Sequence, residues 1–223
     1  MINDWMISIP QGEIHLRDDR KKKTWTSKVD AFQMSKYLIT QEVYSEVMSE
    51  EPSTFFGLHR PVESVTWYDA IRFCNALSEL AGSEKCYFID TDNESVDFID
   101  GTNGYRLPTD AEWEFSCRAN SKFVQYGNIE DIAWYDENSI QTTHDVGLKL
   151  PNGFGLFDML GNVWEWCWDL YDPEIYGTYR IFRGGGWSDG SRGCLASNRR
   201  RSHPTYSIDD LGFRVARSEQ RST

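Results

Sequence analysis

The stretch GLFDMLGNVWEW, residues 155–166, is the most informative part of the chain. Asp158 and Glu165 bracket the pair Gly161-Asn162, and two tryptophans close the stretch. Carboxylates and backbone carbonyls grouped around a glycine turn can bind calcium, although the EF-hand pattern is absent. The alternative is a tight aromatic turn in which Asn162 hydrogen-bonds backbone groups and the tryptophans enter the core. The residues alone leave both interpretations open.

The composition indicates an ordered globular protein. The chain has 223 residues, of which 14% are aromatic and nine are Trp. A chain of this length buries roughly 70% of its unfolded surface, so we expect a sizeable core. The net charge of -12 argues against nucleic acid and anionic lipid as partners. Two basic clusters, residues 20–23 and 199–201, are interpreted as solvated surface.

Targeting signals and cysteine spacing argue against several classes of protein. No run of about 18 apolar residues predicts a membrane helix, and residues 1–10 lack the pattern of a secretion signal. Localisation stays open: cell surface or exported if a leader was removed, otherwise cytoplasmic. None of the five cysteines forms a C-x-x-C pair, which argues against a zinc ribbon.

Apolar spacing predicts two main helices. The first runs over residues 67–81, with Thr66 as N-cap and Gly82 just past its end. The second begins at Thr109, where Glu112 completes a capping box. A shorter helix is expected from Thr40 through about residue 48. After residue 119 the helix signals stop and the chain becomes rich in loops.

Extended segments are predicted on either side of these helices. Residues 7–15 are expected to form a strand pair around a turn at 10–12, and residues 29–39 to be extended. Residues 86–99 are typical of a hairpin. No internal repeat or linker is visible, so residues 1–223 are expected to form one domain.

No catalytic motif of a common type is present. There is no G-x-S-x-G, H-E-x-x-H or P-loop pattern, and the four histidines are isolated in sequence. The acidic run in YRLPTDAEWEF, residues 105–115, contains Asp110, Glu112 and Glu114. Carboxylates in a first helical turn favour capping and the helix dipole, so we interpret them as structural.

Five motifs in order resemble the formylglycine-generating enzyme, or sulfatase-modifying-factor, family. They are PVESVTWYDAIRFCNAL (61–77), YRLPTDAEWEFSCRA (105–119), PNGFGLFDMLGNVWEW (151–166), FRGGGW (182–187) and LGFRVA (211–216). The resemblance spans most of the chain, from about residue 7 to residue 216. It implies an α+β, elaborated C-type-lectin fold with a small twisted antiparallel sheet, two main helices and long ordered loops.

The resemblance also implies a structural calcium site and places it within the opening stretch. Its ligands would be the side chains of Asp158 and Glu165 and the backbone carbonyls of Gly161 and Val163. The segments at 183–185 and 212–214 are expected to be strands that meet in the sheet and clamp the chain between them.

One departure from the family concerns its chemistry. The catalytic members bind copper(I) with two cysteines in the last segment, and the first of these positions falls near Asp189. Only Cys194 remains there, and one thiol cannot supply two thiolate ligands for a soft cuprous ion. We therefore expect no copper and no formylglycine-generating activity.

The last segment instead resembles the variable proteins of diversity-generating retroelements. These carry fixed Arg-Gly-Gly-x-Trp and Gly-Phe-Arg motifs, with changeable positions between them. Residues 183–214 are therefore a candidate variable region. The predicted ligand-binding residues are Trp187, Ser188, Asp189, Gly190, Gly193, Leu195, Ser197, Asn198, Arg200, Arg201, Ser202, His203, Tyr206 and Asp209.

The resulting hypothesis is a non-catalytic protein that displays a binding surface. Exposed Arg, Tyr and His favour a protein ligand first and an anionic glycan second. A lipid anchor would tether such a protein to a membrane. The alternative is an enzyme or enzyme accessory of the same family, with Asp189, Cys194 and His203 as its candidate groups.

Overall fold

The computed structural model describes residues 2–90 and 95–219. A short 3-10 helix, Ile2–Trp5, opens the chain. The strands of the described residues are β1 (Met6–Ile9), β2 (Gly12–Asp18), β3 (Lys23–Val29), β4 (Phe32–Ser35), β5 (Tyr87–Asp90), β6 (Ser95–Phe98), β7 (Tyr105–Arg106), β8 (Trp164–Leu170), β9 (Arg180–Arg183), β10 (Arg199–Ser202), β11 (Leu211–Gly212) and β12 (Ala216–Ser218). The helices are α1 (Gln41–Met48), α2 (Trp67–Leu80), α3 (Asp110–Arg118), α4 (Ile129–Ile132) and α5 (Pro173–Tyr176).

The strands of the described residues form two four-stranded sheets and two hairpins. One sheet has the order β1-β4-β12-β7 and the other β10-β9-β8-β11, while β2–β3 and β5–β6 are the hairpins. β11 runs parallel to β8, whereas β9 and β10 pair antiparallel. The strand that continues the opening stretch, β8, therefore lies between the two ends of segment 183–214.

Two strand predictions were wrong. β1 pairs with β4 and β2 pairs with β3, so residues 7–15 are not a strand pair. β3 pairs with all seven residues of β2, and residues 10–11 only connect β1 to β2. The two clamping segments also do not pair with each other, because β8 separates β9 from β11.

The local helix signals were confirmed. Thr66 and Asp69 form the capping box of α2, with the Asp69 amide donating to Thr66 Oγ1 at 3.1 Å and the Thr66 amide to Asp69 Oδ2 at 2.8 Å. Thr109 caps α3 in the same way with Glu112. Thr40 caps α1, and Gly82 adopts a left-handed φ of 66°. The predicted 86–99 hairpin is present as β5–β6, but its turn lies outside the described residues.

Buried tryptophans join parts of the chain that are distant in sequence. Trp67, Trp113, Trp164 and Trp166 are among the largest fully buried side chains. The Trp67 indole donates to the carbonyl of Cys167 at 3.0 Å, and the Trp166 indole to the carbonyl of Val65 at 3.1 Å. These bonds satisfy the polar tips in the core and tie β8 to the start of α2. Across the described ranges, no helix is long and apolar enough to cross a membrane.

Arg214 is a fully buried cation that joins β8 to the other sheet. Its Nε and Nη2 donate to the Glu165 carboxylate at 2.6 and 2.9 Å. The same guanidinium donates to the carbonyls of Ser35 and Phe157 at 3.1 and 2.9 Å. The Gly-Phe-Arg motif is thus an internal cross-link.

Replacing Arg214 by Ala should destabilise the fold by roughly 3–5 kcal/mol, because it leaves the buried Glu165 carboxylate without its cationic partner. Urea unfolding measures the change. Arg72→Ala is the matched control: Arg72 pairs with Asp69 on the surface of α2, its side chain is 52% exposed, and its loss should cost at most about 1 kcal/mol. An Arg214 variant as stable as the control would contradict the cross-link.

Candidate binding surface

The segment 183–214 is fastened at its start by Arg183, the last residue of β9. This side chain is fully buried. Its guanidinium contacts Glu114 Oε2 at 2.5 Å and Asp110 Oδ1 at 2.8 Å, both on α3. It also donates to the carbonyls of Ala196 and Asn198 at 3.0 and 2.7 Å. One arginine therefore fixes the loop to the helix.

The glycines after Arg183 turn the chain sharply. Gly184 and Gly185 have φ of 102° and 85°, a region that L side chains rarely adopt. A Cβ at Gly185 would lie 2.7 Å from Cys194 Sγ. Cys194 is buried, and burial raises the pKa of its thiol to about 12. The thiol is protonated at neutral pH and serves packing, as a small core side chain does.

Asp189, the position nearest the family's first copper cysteine, is an anchor of the loop. Its Oδ2 accepts from the Gly186 amide at 3.0 Å and from the Trp164 indole at 2.6 Å. Its Oδ1 pairs with Arg200 at 2.7 Å, and that guanidinium lies 4.6 Å from the Trp164 ring. Asp189 thus links the turn, β8 and β10.

Other predicted binding residues also build the loop. The Asn198 side-chain amide donates to the carbonyls of Arg192 and Gly193 at 2.7 and 2.8 Å. A Cβ on Gly193 would lie 2.6 Å from Asp189 Cβ, which ties that position to the scaffold. Arg201 packs over the rings of Tyr171 and Tyr176 at 4.5 and 3.9 Å.

The fourteen predicted residues face solvent to different degrees. Ser188, Gly190, Arg200, His203 and Tyr206 are exposed. The others are half-buried, namely Trp187, Asp189, Gly193, Leu195, Ser197, Asn198, Arg201, Ser202 and Asp209. None of the fourteen predicted positions is therefore buried.

Sequence reasoning missed several neighbours of this surface. Arg192 and Ile208 are exposed within the segment. From outside it, Phe55 packs edge-to-face on Trp187 with ring centroids 5.4 Å apart, and Phe56 beside it is 76% exposed. Phe55 and Trp187 are far apart in the sequence, so their contact leaves no local sequence pattern.

The predicted calcium ligands show a mixed geometry. Asp158 is buried and has a left-handed φ of 53°. Its Oδ2 accepts from the Gly147 amide at 2.7 Å, while its buried Oδ1 has no hydrogen-bond partner among the described residues. Glu165, in contrast, already accepts from Arg214 and from the Trp113 indole. The described residues contain no cluster of three His, Cys, Asp or Glu side chains for a metal, so a cation here would depend on backbone carbonyls.

The arrangement is that of a known domain. A model of the Sulfatase-modifying factor enzyme 1-like domain matches residues 2–219. The chain belongs to the sulfatase-modifying-factor family. The predicted C-type-lectin-like fold of the formylglycine-generating-enzyme type is thereby confirmed, with small sheets and long ordered loops.

Three relatives show the range of this family. The solved structure of Treponema denticola variable protein 1 superposes with a TM-score of 0.87 at 30% identity, covering 96% of this chain and 95% of that one. Chaperone protein LppX of Paenibacillus barcinonensis is 35% identical over 84% of this chain and 80% of its own length. The formylglycine-generating enzyme of Mus musculus is 29% identical over 71% of this chain, but the match spans only 45% of that enzyme. The predicted resemblance to variable proteins is confirmed.

The end of the loop contains a titratable group. Burial, together with the charges of Asp189 and Asp209, raises the pKa of Asp210 to about 6, against the lowering effect of the hydrogen bond from Ser188. Because the folded pKa exceeds the unfolded value near 4, the folded state binds the proton more tightly, and this contribution to stability is lost as pH rises.

Asp210→Asn removes this titration while keeping an acceptor for Ser188. The free energy of unfolding of the unaltered protein, relative to the variant, should fall by on the order of 2 kcal/mol between about pH 4 and pH 6 and stay level above that. Urea unfolding of both proteins across this range is the measurement. A constant difference would show that Asp210 titrates normally.

Proposed function

We propose that this protein is a non-catalytic binding protein that displays residues 186–209 as a ligand-binding surface. One observation carries the proposal: Arg183 and Arg214, which fasten the two ends of the segment, are fully buried, whereas five of the fourteen predicted contact residues are exposed and none is buried. A loop fixed from beneath can change its outer side chains without losing its anchor. The similarity to a protein named as variable supports the same interpretation.

The surface offers chemistry suited to a protein ligand. Tyr206 and Trp187 supply aromatic area, Arg200 supplies a planar donor, and Ser188 and Gly190 supply small adaptable positions. Phe56 extends the apolar part beyond the segment. An anionic glycan is the second choice. Programmed diversification of the segment is part of the proposal and rests on its resemblance to variable proteins.

The same surface argues against the oxidase chemistry of the family. The segment has one cysteine, and its thiol is buried with a pKa of about 12. Cuprous ion in a two-thiolate site needs a second sulfur ligand that the segment lacks. Oxygen consumption by the protein with copper and a cysteine-containing peptide would contradict this part of the proposal.

The relative named as a chaperone protein favours a second candidate, an accessory that binds a client protein. Both candidates use the chain for binding. They differ in their tolerance of substitutions. A variable protein tolerates replacement of its contact residues, whereas an accessory loses binding to its client when those residues change.

A library randomised at Ser188, Gly190, Arg200, His203 and Tyr206 tests the display function. Because these side chains are exposed, most members should fold, and selection on an immobilised protein such as lysozyme should yield binders. A matched library randomised at Arg183, Gly184, Gly185, Asp189 and Asn198 should yield few folded members. Equal loss of folding in the two libraries would overturn the proposal.

We further propose that calcium is a structural cation held by Asp158 and the carbonyls of Gly161 and Val163, with Glu165 completing the site beside Arg214. The support is the buried Asp158 Oδ1, which accepts no hydrogen bond from any residue that the structure describes. A Cβ at Gly161 would lie 2.3 Å from the carbonyl oxygen of Trp134, so this turn admits only glycine. Carboxylate and carbonyl oxygens are the ligands that calcium prefers.

If calcium binds the folded state, the melting temperature should be several degrees higher in millimolar calcium than in chelator. Asp158→Asn should abolish the difference, and Asp145→Asn, on the preceding loop, should retain it. No difference for the unaltered protein would contradict the assignment.

A further inference from the structure

The fold joins the two basic clusters that the sequence separates by some 180 residues. Arg199 on β10 contacts Asp18 at the end of β2, with Nη1 and Oδ2 3.5 Å apart. Lys21 and Arg201 both lie over the ring of Tyr171, at 5.2 and 4.5 Å from its centre. In a chain of net charge -12, this brings the two basic clusters together on one face. That face borders the proposed binding surface.

A cleft of about 410 Å³ lies where the two clusters meet. One wall is the tip of the β2–β3 hairpin and the other is the loop around residues 189–200. It is lined by five arginines, Arg17, Arg20, Arg192, Arg199 and Arg200, and by three aspartates, Asp18, Asp19 and Asp189. Positive charge therefore exceeds negative charge within it.

Most of these charges are already paired. Arg17 pairs with Asp19 at 2.8 Å, Arg199 with Asp110 at 2.9 Å, and Arg200 with Asp189 at 2.7 Å. Arg20 and Arg192 are exposed, and neither has an ion-pair partner among the described residues. These two guanidiniums, one on each wall, are the cleft's available donors.

We propose that this cleft binds an acidic polypeptide segment of the protein's ligand, with Arg20 and Arg192 receiving its carboxylates. A guanidinium presents paired donors that match a carboxylate in a bidentate geometry. This inference rests on the proposed binding function and specifies the chemistry of its ligand.

The aspartates in the cleft favour a polypeptide over a densely sulfated or phosphorylated polymer. Such a polymer would bring several anions against the exposed carboxylate of Asp19, and like charges brought together at an interface are costly. A polypeptide can offer carboxylates to the arginines while its amides and basic side chains face the aspartates.

The placement of the two walls has a consequence for specificity. Arg17 and Arg20 belong to the hairpin, outside residues 183–214, so they stay constant if the segment is diversified. Arg192 and Arg200 lie inside it. The hairpin would then retain a general preference for acidic ligands, while the loop selects among them.

Fluorescence anisotropy with a labelled peptide of alternating Glu and Gly is the test, at about 50 mM salt, where exposed charges act over more than 10 Å. The double variant Arg20→Glu, Arg192→Glu should weaken binding at least tenfold without changing the melting temperature, since both side chains are exposed. Arg72→Glu is the control: Arg72 lies on α2, outside the cleft lining, and the substitution makes the same kind of charge change. It should bind the peptide as the unaltered protein does.

Three results would overturn the inference: no saturable binding of the peptide, equal weakening by Arg72→Glu, or tighter cleft-dependent binding of heparin than of the peptide. Failure here is distinct from failure of the proposed function. If the library at the five exposed positions yields binders but the acidic peptide does not bind, the display function stands and the ligand chemistry is wrong.

Discussion

The buried guanidinium of Arg183 is the constraint on which the binding surface depends. An arginine with no access to water must have its charge and its donors satisfied within the protein. Asp110 and Glu114 supply the opposite charge, and two carbonyls of the loop accept hydrogen bonds from Nη1. The two carboxylates are four residues apart, so they lie on one face of α3. Helix, strand and loop therefore adopt one arrangement together.

Arg214 plays the corresponding part at the other end of the segment. It pairs with Glu165 and reaches carbonyls next to β4 and before β8. Arg183 belongs to the FRGGGW motif before the loop and Arg214 to the LGFRVA motif after it, and both side chains are fully buried. The segment is thus fixed by buried contacts at its two ends, while its middle lies at the surface.

Local features of the fold could be predicted from the sequence. Capping boxes at Thr66 and Thr109 depend on residues three positions apart, and both helices begin where predicted. Strand partners depend on distant chain, and here the prediction for residues 7–15 was wrong. The acidic run of α3 was interpreted as capping, which holds for Glu112. The pairing of Asp110 and Glu114 with Arg183 could not be seen, because their partner lies some 70 residues away.

The same distinction between local features and distant contacts holds for the candidate binding surface. The boundaries of segment 183–214 follow from its motifs, and its outer residues are at the surface. Which residues face outward and which hold the loop is decided by contacts, as Asn198 and Asp189 show. The two basic clusters were interpreted separately as solvated surface. Only the pairing of β9 with β10 and the position of the β2–β3 hairpin bring them to one cleft.

The central claim is that buried contacts beneath the loop stabilise it, whereas its exposed residues supply the contacts to a ligand. Equilibrium urea unfolding of two variants tests this most directly. A fivefold alanine variant at Ser188, Gly190, Arg200, His203 and Tyr206 should stay within about 1 kcal/mol of the unaltered protein. Arg183→Met should lose roughly 3–5 kcal/mol, because two buried carboxylates each lose one of their arginine partners and two loop carbonyls lose their donor. A fivefold variant that unfolds as readily as Arg183→Met would contradict the claim.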